Sequence, residues 1–154
     1  MTKINLIDFV FNNKIEPFHW GDSEVDILNI FPTWKTLFNE FRESGCPYFH
    51  IDNVEFYFDN DYYEGLSEII IKVLNFDEEY LSEYFDIDWL RNKTKLKEVC
   101  AKLDQQNLSY QIENQEPFNA PVIMINEKIF IAFFNDYGEM NNDDSVLEKI
   151  YIQK

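Results

Sequence analysis

The spacing of apolar residues changes along the chain, close to Tyr48, from three- and four-residue steps to strict alternation. Residues 4–11, 25–31 and 34–41 show the first spacing, which places apolar side chains on one face of a helix. Residues 54–58 show the second spacing, which is typical of a strand with one buried face. A chain that combines both periods in this order is predicted to belong to the α+β class.

Polar residues mark the starts of the predicted helices. Thr2 is positioned to cap the first helix, and Asp22 or Ser23 is positioned to cap the second. A further helix is predicted to begin after Thr94, because the apolar residues within 96–103 recur at helical spacing. Each of these residue types can accept a hydrogen bond from a backbone N–H group that the first helical turn leaves unpaired.

Two hairpins with similar patterns follow predicted helices in the two halves of the chain. In the first hairpin, residues 54–58 lead through a loop rich in Asp, Asn and Tyr to residues 66–71, which are largely apolar on both faces. In the second, residues 128–134 and 147–152 repeat this arrangement around a similar loop, and a short strand is predicted before it at residues 108–112. We therefore predict an antiparallel sheet built from two helix-plus-β-hairpin units, with the helices packed on one face.

The predicted repeat spans residues 22–75 and 94–152 within a single domain of residues 1–154. Because alternating strands resemble one another, chance similarity between the hairpins is the alternative. The 50 Val, Leu, Ile and Phe residues supply enough apolar surface for a core. The longest stretch without a charged residue, 117–126, is far shorter than the roughly 20 apolar residues that cross a bilayer. Since the N-terminus also lacks a signal-peptide pattern, we expect a cytoplasmic protein.

Acidic residues outnumber basic residues by 29 to 13, which gives a net charge of -16 at pH 7. Electrostatic binding to nucleic acid or to an anionic membrane requires basic patches, so the charge excludes both classes of ligand. The acids concentrate between Asp52 and Asp88, where twelve Asp and Glu residues accompany a single base, Lys72. Tyrosines lie among these acids, and Tyr is a residue type that anchors protein interfaces. This part of the chain is therefore predicted to bind a basic protein.

The predicted partner-binding surface combines the acids and tyrosines of the first hairpin loop and of the segment that follows the hairpin. Its residues are Asp59, Asp61, Tyr62, Tyr63, Glu64, Asp77, Glu78, Glu79, Tyr80, Glu83, Tyr84, Asp86 and Asp88. One alternative is a charged face that only contacts solvent. In another, the basic residues within 91–102 fold back and neutralise the acids between Asp77 and Asp88. The surface would then shrink to the first hairpin and its loop.

No motif for catalysis, metal binding or phosphate binding occurs in the sequence. His19 and His50 each lie between hydrophobic residues, and we interpret them as partly buried structural side chains rather than general bases. Cys46 and Cys100 lie outside any paired spacing, which predicts reduced thiols in the core and no zinc site, with a long-range disulfide as the alternative. The acidic loops of both hairpins lack the residue order of an EF-hand. We therefore predict no enzymatic activity, no cofactor and no metal.

Four patterns follow one another along the chain. They are Gly21-Asp22-Ser23-x-Val25-x-x-Leu28, Leu66-x-x-Ile69-x-Ile71, Trp89-Leu90 before the Thr94-led helix, and Leu147-x-x-Ile150-x-Ile152. This order is similar to that of small bacterial immunity proteins, which neutralise the toxin domains of polymorphic or contact-dependent growth inhibition systems. The resemblance implies a non-enzymatic cytoplasmic protein that binds one cognate toxin domain, and the acidic surface favours a basic nuclease domain. The alternative function is a nucleic-acid mimic that occupies DNA-binding proteins generally.

Overall fold

The computed structural model describes residues 2–117, 119–136 and 141–154. Within these residues the chain forms four α-helices and a seven-stranded antiparallel sheet, so the predicted α+β class is confirmed. The helices are α1 (Leu6–Asn12), α2 (Glu24–Ile30), α3 (Lys35–Glu43) and α4 (Leu96–Gln105), and none of them is long and apolar enough to cross a membrane. The strands are β1 (Ile4–Asn5), β2 (Tyr48–Ile51), β3 (Val54–Phe58), β4 (Leu66–Ile71), β5 (Phe85–Asp86), β6 (Gln111–Gln115), β7 (Ala120–Ile125), β8 (Ile129–Phe134) and β9 (Val146–Gln153).

The strands of the large sheet follow the order β2-β3-β4-β9-β8-β7-β6, and every neighbouring pair is antiparallel. The first hairpin, β3-β4, therefore joins the second hairpin, β8-β9, through β4 and β9. Strand β4 lies in the interior of the sheet, as its apolar residues on both faces predict. The short strands β1 and β5 form a separate parallel pair, which attaches the N-terminus to the segment before α4. Single turns of 3-10 helix lie at Pro32–Trp34, Val73–Asn75 and Asn142–Asp144.

The two hairpins share one register. In the first, the inward-facing pairs are Val54 with Ile71, Phe56 with Ile69 and Phe58 with Leu66, and the register shifts between Tyr57 and Phe58. In the second, they are Ile129 with Ile152, Ile131 with Ile150 and Phe133 with Leu147, and the register shifts between Ala132 and Phe133. Both hairpins thus present the same apolar ladder to the core. The preceding helices differ, since α1, α2 and α3 come before the first hairpin and α4 comes before the second.

Ser23, one of the two caps that the sequence predicts, is the N-cap residue of α2. The Ser23 hydroxyl accepts the N–H of Asp26 at 3.3 Å, and the Asp26 carboxylate accepts the N–H of Ser23 at 2.8 Å. This reciprocal capping box satisfies two backbone donors, and its hydrogen bonds lower the pKa of Asp26. The buried face of the helix is narrower than predicted, because Ile27 is buried whereas Val25 is 67 % exposed.

The predicted caps of α1 and α4 are wrong. Thr2 precedes β1, and Asn5 caps α1 by accepting a backbone N–H of the first turn at 2.9 Å. The Thr94 hydroxyl donates to the Trp89 carbonyl at 2.7 Å, and Lys95 occupies the N-cap position of α4. At the N-terminus β1 pairs with β5 and α1 begins after it, at Leu6, whereas at α4 the Thr94 hydroxyl bonds to a carbonyl five residues earlier in the chain.

The helices and one face of the sheet enclose a single apolar cluster. This cluster contains the buried side chains of all four described helices and the inward-facing residues of the strands. The ring of Trp34 lies within it, with centroid distances of 4.1 Å to Phe31, 5.9 Å to Phe49 and 6.2 Å to Phe56. Aromatic pairs at such distances stabilise a core beyond the burial of their area. The outward-facing Ile70 lies outside the cluster, so the helices pack on the opposite face of the sheet from Ile70.

Strand β6 begins later than the sequence predicts. Alternation over residues 108–112 suggests a strand there, but the N–H of Leu108 donates to the Leu103 carbonyl at 3.1 Å and closes the end of α4. The strand spans Gln111–Gln115, and all five of its residues are exposed. Strand β6 is the last strand in the order of the large sheet, so it forms an edge. Its exposed residues add little to the core.

Candidate functional site

The segment between the first hairpin and α4, residues 76–90, is called the acidic connector below. Its apolar residues Phe76, Phe85, Ile87 and Leu90 are buried and belong to the core cluster. Its acids lie on the solvent side. The exposed acids are Asp77, Glu78, Glu79, Glu83, Asp86 and Asp88. The apolar side chains thus fix the path of the acidic connector while the carboxylates remain accessible.

Asp52, in the turn between β2 and β3, holds the acidic connector against the sheet. Its carboxylate accepts the Ser82 hydroxyl at 2.6 Å and the N–H of Glu83 at 3.1 Å. Its backbone carbonyl accepts the Tyr80 hydroxyl at 2.7 Å. Hydrogen bonds to a carboxylate are stronger than those between neutral groups, so these contacts order the segment. An ordered surface loses less conformational entropy when it binds a partner.

The basic residues that follow the acidic connector neutralise only part of it. The Lys93 ammonium group forms an ion pair with Glu78 at 2.9 Å. The Arg91 guanidinium group contacts the backbone instead, because it donates to the carbonyl of Asp77 at 2.7 Å and to that of Tyr80 at 2.9 Å. Arg91 therefore fixes the segment in place and brings a positive charge near it, and it pairs with no carboxylate of the described residues.

The remaining basic residues of this stretch form no ion pair with the described acids of the acidic connector. Lys95 and Lys97 pair with Asp144 at 3.2 Å and 3.5 Å, and the Lys102 ammonium group lies 5.3 Å from the ring centroid of Trp89. The alternative in which these residues neutralise the acids between Asp77 and Asp88 is therefore met by an ion pair at Glu78 alone, within the described part of the chain. The acids left without a basic partner there are Asp77, Glu79, Glu83, Asp86 and Asp88.

The ion pair with Lys93 lowers the pKa of the Glu78 carboxyl, first through the hydrogen bond and then through the charge. Because the pKa is lower in the folded state, the pair stabilises the fold above the unfolded-state pKa, and this contribution is lost as the pH falls through the folded-state pKa. We expect Lys93→Gln to raise the Glu78 pKa toward its ordinary value, and an NMR titration of the side-chain carboxyl signals measures this change.

Lys95→Gln is the matched control for that titration. Lys95 contributes most to the lowered pKa of Asp144, so its removal should raise the pKa of Asp144 and leave Glu78 unchanged. A Glu78 pKa that stays low after Lys93→Gln would contradict the ion pair.

The tyrosines of the acidic connector are tied to the core. Tyr80 stacks on Phe76 with ring centroids 4.6 Å apart, and Tyr84 contacts Trp34 edge-on at 5.3 Å. Both are half-buried, so each offers a partner only part of its surface. Leu81 is instead 84 % exposed. Sequence reasoning missed Leu81 because it belongs to no helical or alternating pattern.

The loop of the first hairpin, residues 59–64, contains the other predicted partner-binding residues. Tyr63 is fully buried between Phe38 and Phe58, and its hydroxyl donates to the Cys46 carbonyl at 2.8 Å. The prediction that Tyr63 binds a partner is therefore wrong, since its ring belongs to the core. The loop exposes Asp59, Asp61, Tyr62 and Glu64, and Tyr62 is 79 % exposed.

The structure separates the two sets of predicted partner-binding residues. The acidic connector contacts the turn before β3, whereas the hairpin loop follows the other end of β3. A strand of five residues holds its two end residues about 13 Å apart at a rise of about 3.3 Å per residue. The loop and the acidic connector are therefore two surfaces. The connector carries more acids and more contacts that fix its position.

The outward face of the sheet contains an ion pair that the sequence did not reveal. Glu55 on β3 is 4 % exposed and pairs with Lys72, and the Tyr57 hydroxyl donates to the same carboxylate at 2.9 Å. The hydrogen bond to Glu55 raises the pKa of Lys72, while burial and then Glu55 raise the pKa of Tyr57. Glu55, one of the acids between Asp52 and Asp88, therefore serves the fold and is not accessible to a partner.

Lys72→Met is expected to destabilise the fold, because it leaves the Glu55 carboxylate buried beside a single hydrogen-bond donor. Lys72 itself is about one-third exposed, so we expect a loss of about 2 kcal/mol rather than the full penalty for a buried charge. Urea unfolding measures the loss. Lys149→Met changes the same charge on the same face, where Lys149 has no ion pair within the described residues, and should cost less than about 0.5 kcal/mol. Equal stability of the two variants would contradict this role.

Residues that could support other chemistry lie apart from one another. His19 and His50 are exposed, so the expectation that they are partly buried is wrong. Cys46 and Cys100 are free thiols that are half-buried rather than in the core, and burial raises the pKa of Cys100. Within the ranges that the structure describes, no group of three or more His, Cys, Asp or Glu side chains is placed to hold a metal ion.

Comparison of the chain with protein-family models, with curated proteins and with solved structures found no match. Function is therefore inferred from the acidic connector, from the charges that it exposes and from the contacts that hold it in place. An ordered segment with unpaired carboxylates can bind a cationic protein surface through charge complementarity.

Proposed function

We propose that the chain is an immunity protein that binds a cognate basic toxin domain, a nuclease, and neutralises it by covering its active site or an adjacent exosite. The observation that supports this proposal is the acidic connector, in which five of the six exposed carboxylates have no basic partner among the described residues. Like charges on one segment repel each other and destabilise the fold. A cationic partner would relieve that repulsion on binding.

A nuclease domain fits the acidic connector on electrostatic grounds. Nucleases bind phosphate through Lys and Arg side chains, which form a cationic cleft. Carboxylates on an ordered segment can compete for such a cleft, and opposite charges raise association rates by about 10- to 1,000-fold at low salt. Because core contacts already order the segment, little additional ordering is required on binding. We place this action in the cytoplasm, where a nuclease toxin meets its substrate.

We further propose that the fold consists of two helix-plus-β-hairpin units, as the predicted repeat suggests. The N–H of Leu66 donates to the carbonyl of Asp22, just before α2, at 2.8 Å. The N–H of Leu147 donates to the carbonyl of Thr94, just before α4, at 2.8 Å. The shared hairpin register supports the same correspondence. The acidic connector joins the two units, so its surface residues can vary without disturbing either unit.

The test of the proposed function uses the protein encoded beside this chain in the source genome. Its C-terminal domain is expressed from an inducible promoter, alone and together with this chain. We expect the domain alone to arrest growth and degrade nucleic acid, and coexpression to restore growth. The two proteins should also elute as an equimolar complex in size-exclusion chromatography.

Two results would contradict this function. Growth arrest that persists although the coexpressed chain is soluble and folded would exclude neutralisation of that domain. Comparable affinity for several unrelated DNA-binding proteins would favour the nucleic-acid mimic, because a mimic recognises the shared cationic groove instead of one partner.

A further inference from the structure

The two edges of the large sheet differ in how they are covered. At the β2 edge, α3 packs against the strand, with ring centroids of Phe38 and Phe49 4.0 Å apart and those of Phe41 and His50 4.9 Å apart. The Tyr63 hydroxyl also donates to the Tyr48 carbonyl at 3.3 Å. At the β6 edge all five residues are exposed. Among the described residues, a helix therefore covers the β2 edge, whereas the β6 edge receives no helix and one side-chain contact, from the Asn142 amide to the Asn114 side-chain carbonyl at 3.1 Å.

Strand β6 can pair with another strand. It pairs with β7 on one side without a shift of register, and no described strand lies on its other side. Such an edge presents unpaired backbone N–H and C=O groups. Edges are usually blunted by Lys, Pro or a bulge, and β6 contains none of these devices. Its one charged residue is Glu113, at the centre of the strand.

The negative charge around β6 favours a positively charged strand as its pairing partner. Residues 103–127 contain four acids and no Lys or Arg. An open groove of about 550 Å³ runs beside β6 on the outward face, and its walls include Glu113, Glu127 and Met124. A basic segment would complement the two carboxylates. A second copy of this chain would not, because centred antiparallel pairing places Glu113 opposite Glu113 and each copy carries a charge of -16.

We propose that β6 receives an extended basic segment of a partner protein, which adds to the sheet as an eighth strand. Basic side chains of that segment lie on the outward face beside Glu113, and the alternate apolar side chains lie beside Ile112, which is 45 % exposed. At about 4.8 Å per strand, this edge lies roughly 24 Å from β3, near which the acidic connector is fixed. The site is thus a second docking surface, and it does not depend on the proposed immunity function.

The test uses the whole chain and a synthetic peptide, Thr-Lys-Val-Lys-Val-Lys-Thr with blocked ends. Binding is followed by chemical-shift changes of the backbone amides and by hydrogen exchange. We expect shifts and added protection confined to β6 and β7. Glu113→Lys should weaken binding at least tenfold, whereas Glu40→Lys, the same charge change on the exposed face of α3, should leave it within twofold. Both positions are exposed, so both variants are expected to fold.

A second peptide separates strand pairing from attraction between opposite charges. Replacing both Val residues with Pro keeps the charge and removes two N–H donors. We expect this peptide to bind at least tenfold more weakly. Equal binding of the two peptides, shifts spread over the acidic connector, or no binding at millimolar peptide would overturn the proposal. Sedimentation that shows a dimer joined through β6 would also overturn it, because the edge would then be occupied by a second copy.

Discussion

Replacing the five unpaired acids of the acidic connector with amides is expected to slow association with the cognate toxin domain by about 10- to 100-fold at low salt. The substitutions are Asp77→Asn, Glu79→Gln, Glu83→Gln, Asp86→Asn and Asp88→Asn. Amides keep the size of each side chain and can still accept the local hydrogen bonds. Asn also tolerates the positive φ of 44° at position 88. Stopped-flow mixing measures the association rate, and the difference from the unchanged chain should shrink as salt is added.

A second set of five acids supplies the control for total charge. These exposed residues lie outside the acidic connector, the first hairpin loop and strand β6 itself. The substitutions are Asp8→Asn, Glu16→Gln, Glu40→Gln, Glu43→Gln and Asp104→Asn. Both variants lose the same charge, so a general effect of the acidic field would slow both equally. We expect the association rate of the control variant to fall by less than about threefold, because salt screens exposed charges that are distant from the binding surface. Equal slowing of the two variants would contradict the placement of the binding surface.

Trp34→Ala is expected to have the largest effect on stability, a loss of about 4 kcal/mol and a fall in melting temperature of about 10 °C. Trp34 is 2 % exposed and contacts Phe31 from the helical layer, Phe56 from the sheet and Tyr84 from the acidic connector. Its removal opens a cavity where these three layers meet, which core residues can fill only in part. Urea and thermal unfolding measure the loss.

Trp34→Phe separates the role of the ring from that of the indole N–H. This donor is buried, and among the described residues it has no hydrogen-bond acceptor. Phe retains much of the apolar contact and removes the unpaired donor, so we expect a cost below about 1.5 kcal/mol. If Trp34→Ala lowers the free energy of unfolding no more than Trp34→Phe does, the aromatic cluster does not depend on the ring of residue 34, which would contradict its central place in the core.

The spacing of apolar residues and the capping residues predicted the helices and strands whose formation depends on residues close in sequence. The change of period near Tyr48 separates the first three helices from the first hairpin, and alternation places the strands of both hairpins. Ser23 followed by Asp26 encodes the start of α2, because the capping box needs only residues that are close in sequence. The alternation accounts for the observed hairpin register, since a slip of one residue would expose the apolar ladder.

Contacts between distant segments account for much of what the sequence could not show. Tyr63 lies in an acidic loop, and nothing nearby in sequence indicates that its ring packs between Phe38 and Phe58. The position of Tyr63 depends on how the chain folds back on itself. Thr94 is a residue type that caps helices, but its hydroxyl donates to the Trp89 carbonyl five residues earlier, a local turn that the residue types do not indicate.

The sequence shows which residue types the candidate site contains, but it does not show how their side chains are arranged. The acids of the acidic connector are visible as a charge run, and their exposure follows from the rule that unpaired charges stay in solvent. The partners of the basic residues were not predictable, because Arg91 bonds to backbone carbonyls and Lys95 reaches Asp144, far along the chain. The hydrogen bond of Asp52 to Ser82 and the ion pair of Glu55 with Lys72 also join residues far apart in sequence, so the sequence did not reveal them.

Hydrogen–deuterium exchange of the chain, alone and in complex with the cognate toxin domain, tests most directly whether the acidic connector is the binding surface. Peptides that cover residues 76–90 report on it, and peptides from the first hairpin loop, residues 59–64, and from α3 report on surfaces elsewhere. We predict that the complex slows exchange in residues 76–90 and leaves α3 unchanged. Unchanged exchange throughout residues 76–90, with protection confined to the hairpin loop or to another face, would contradict the account.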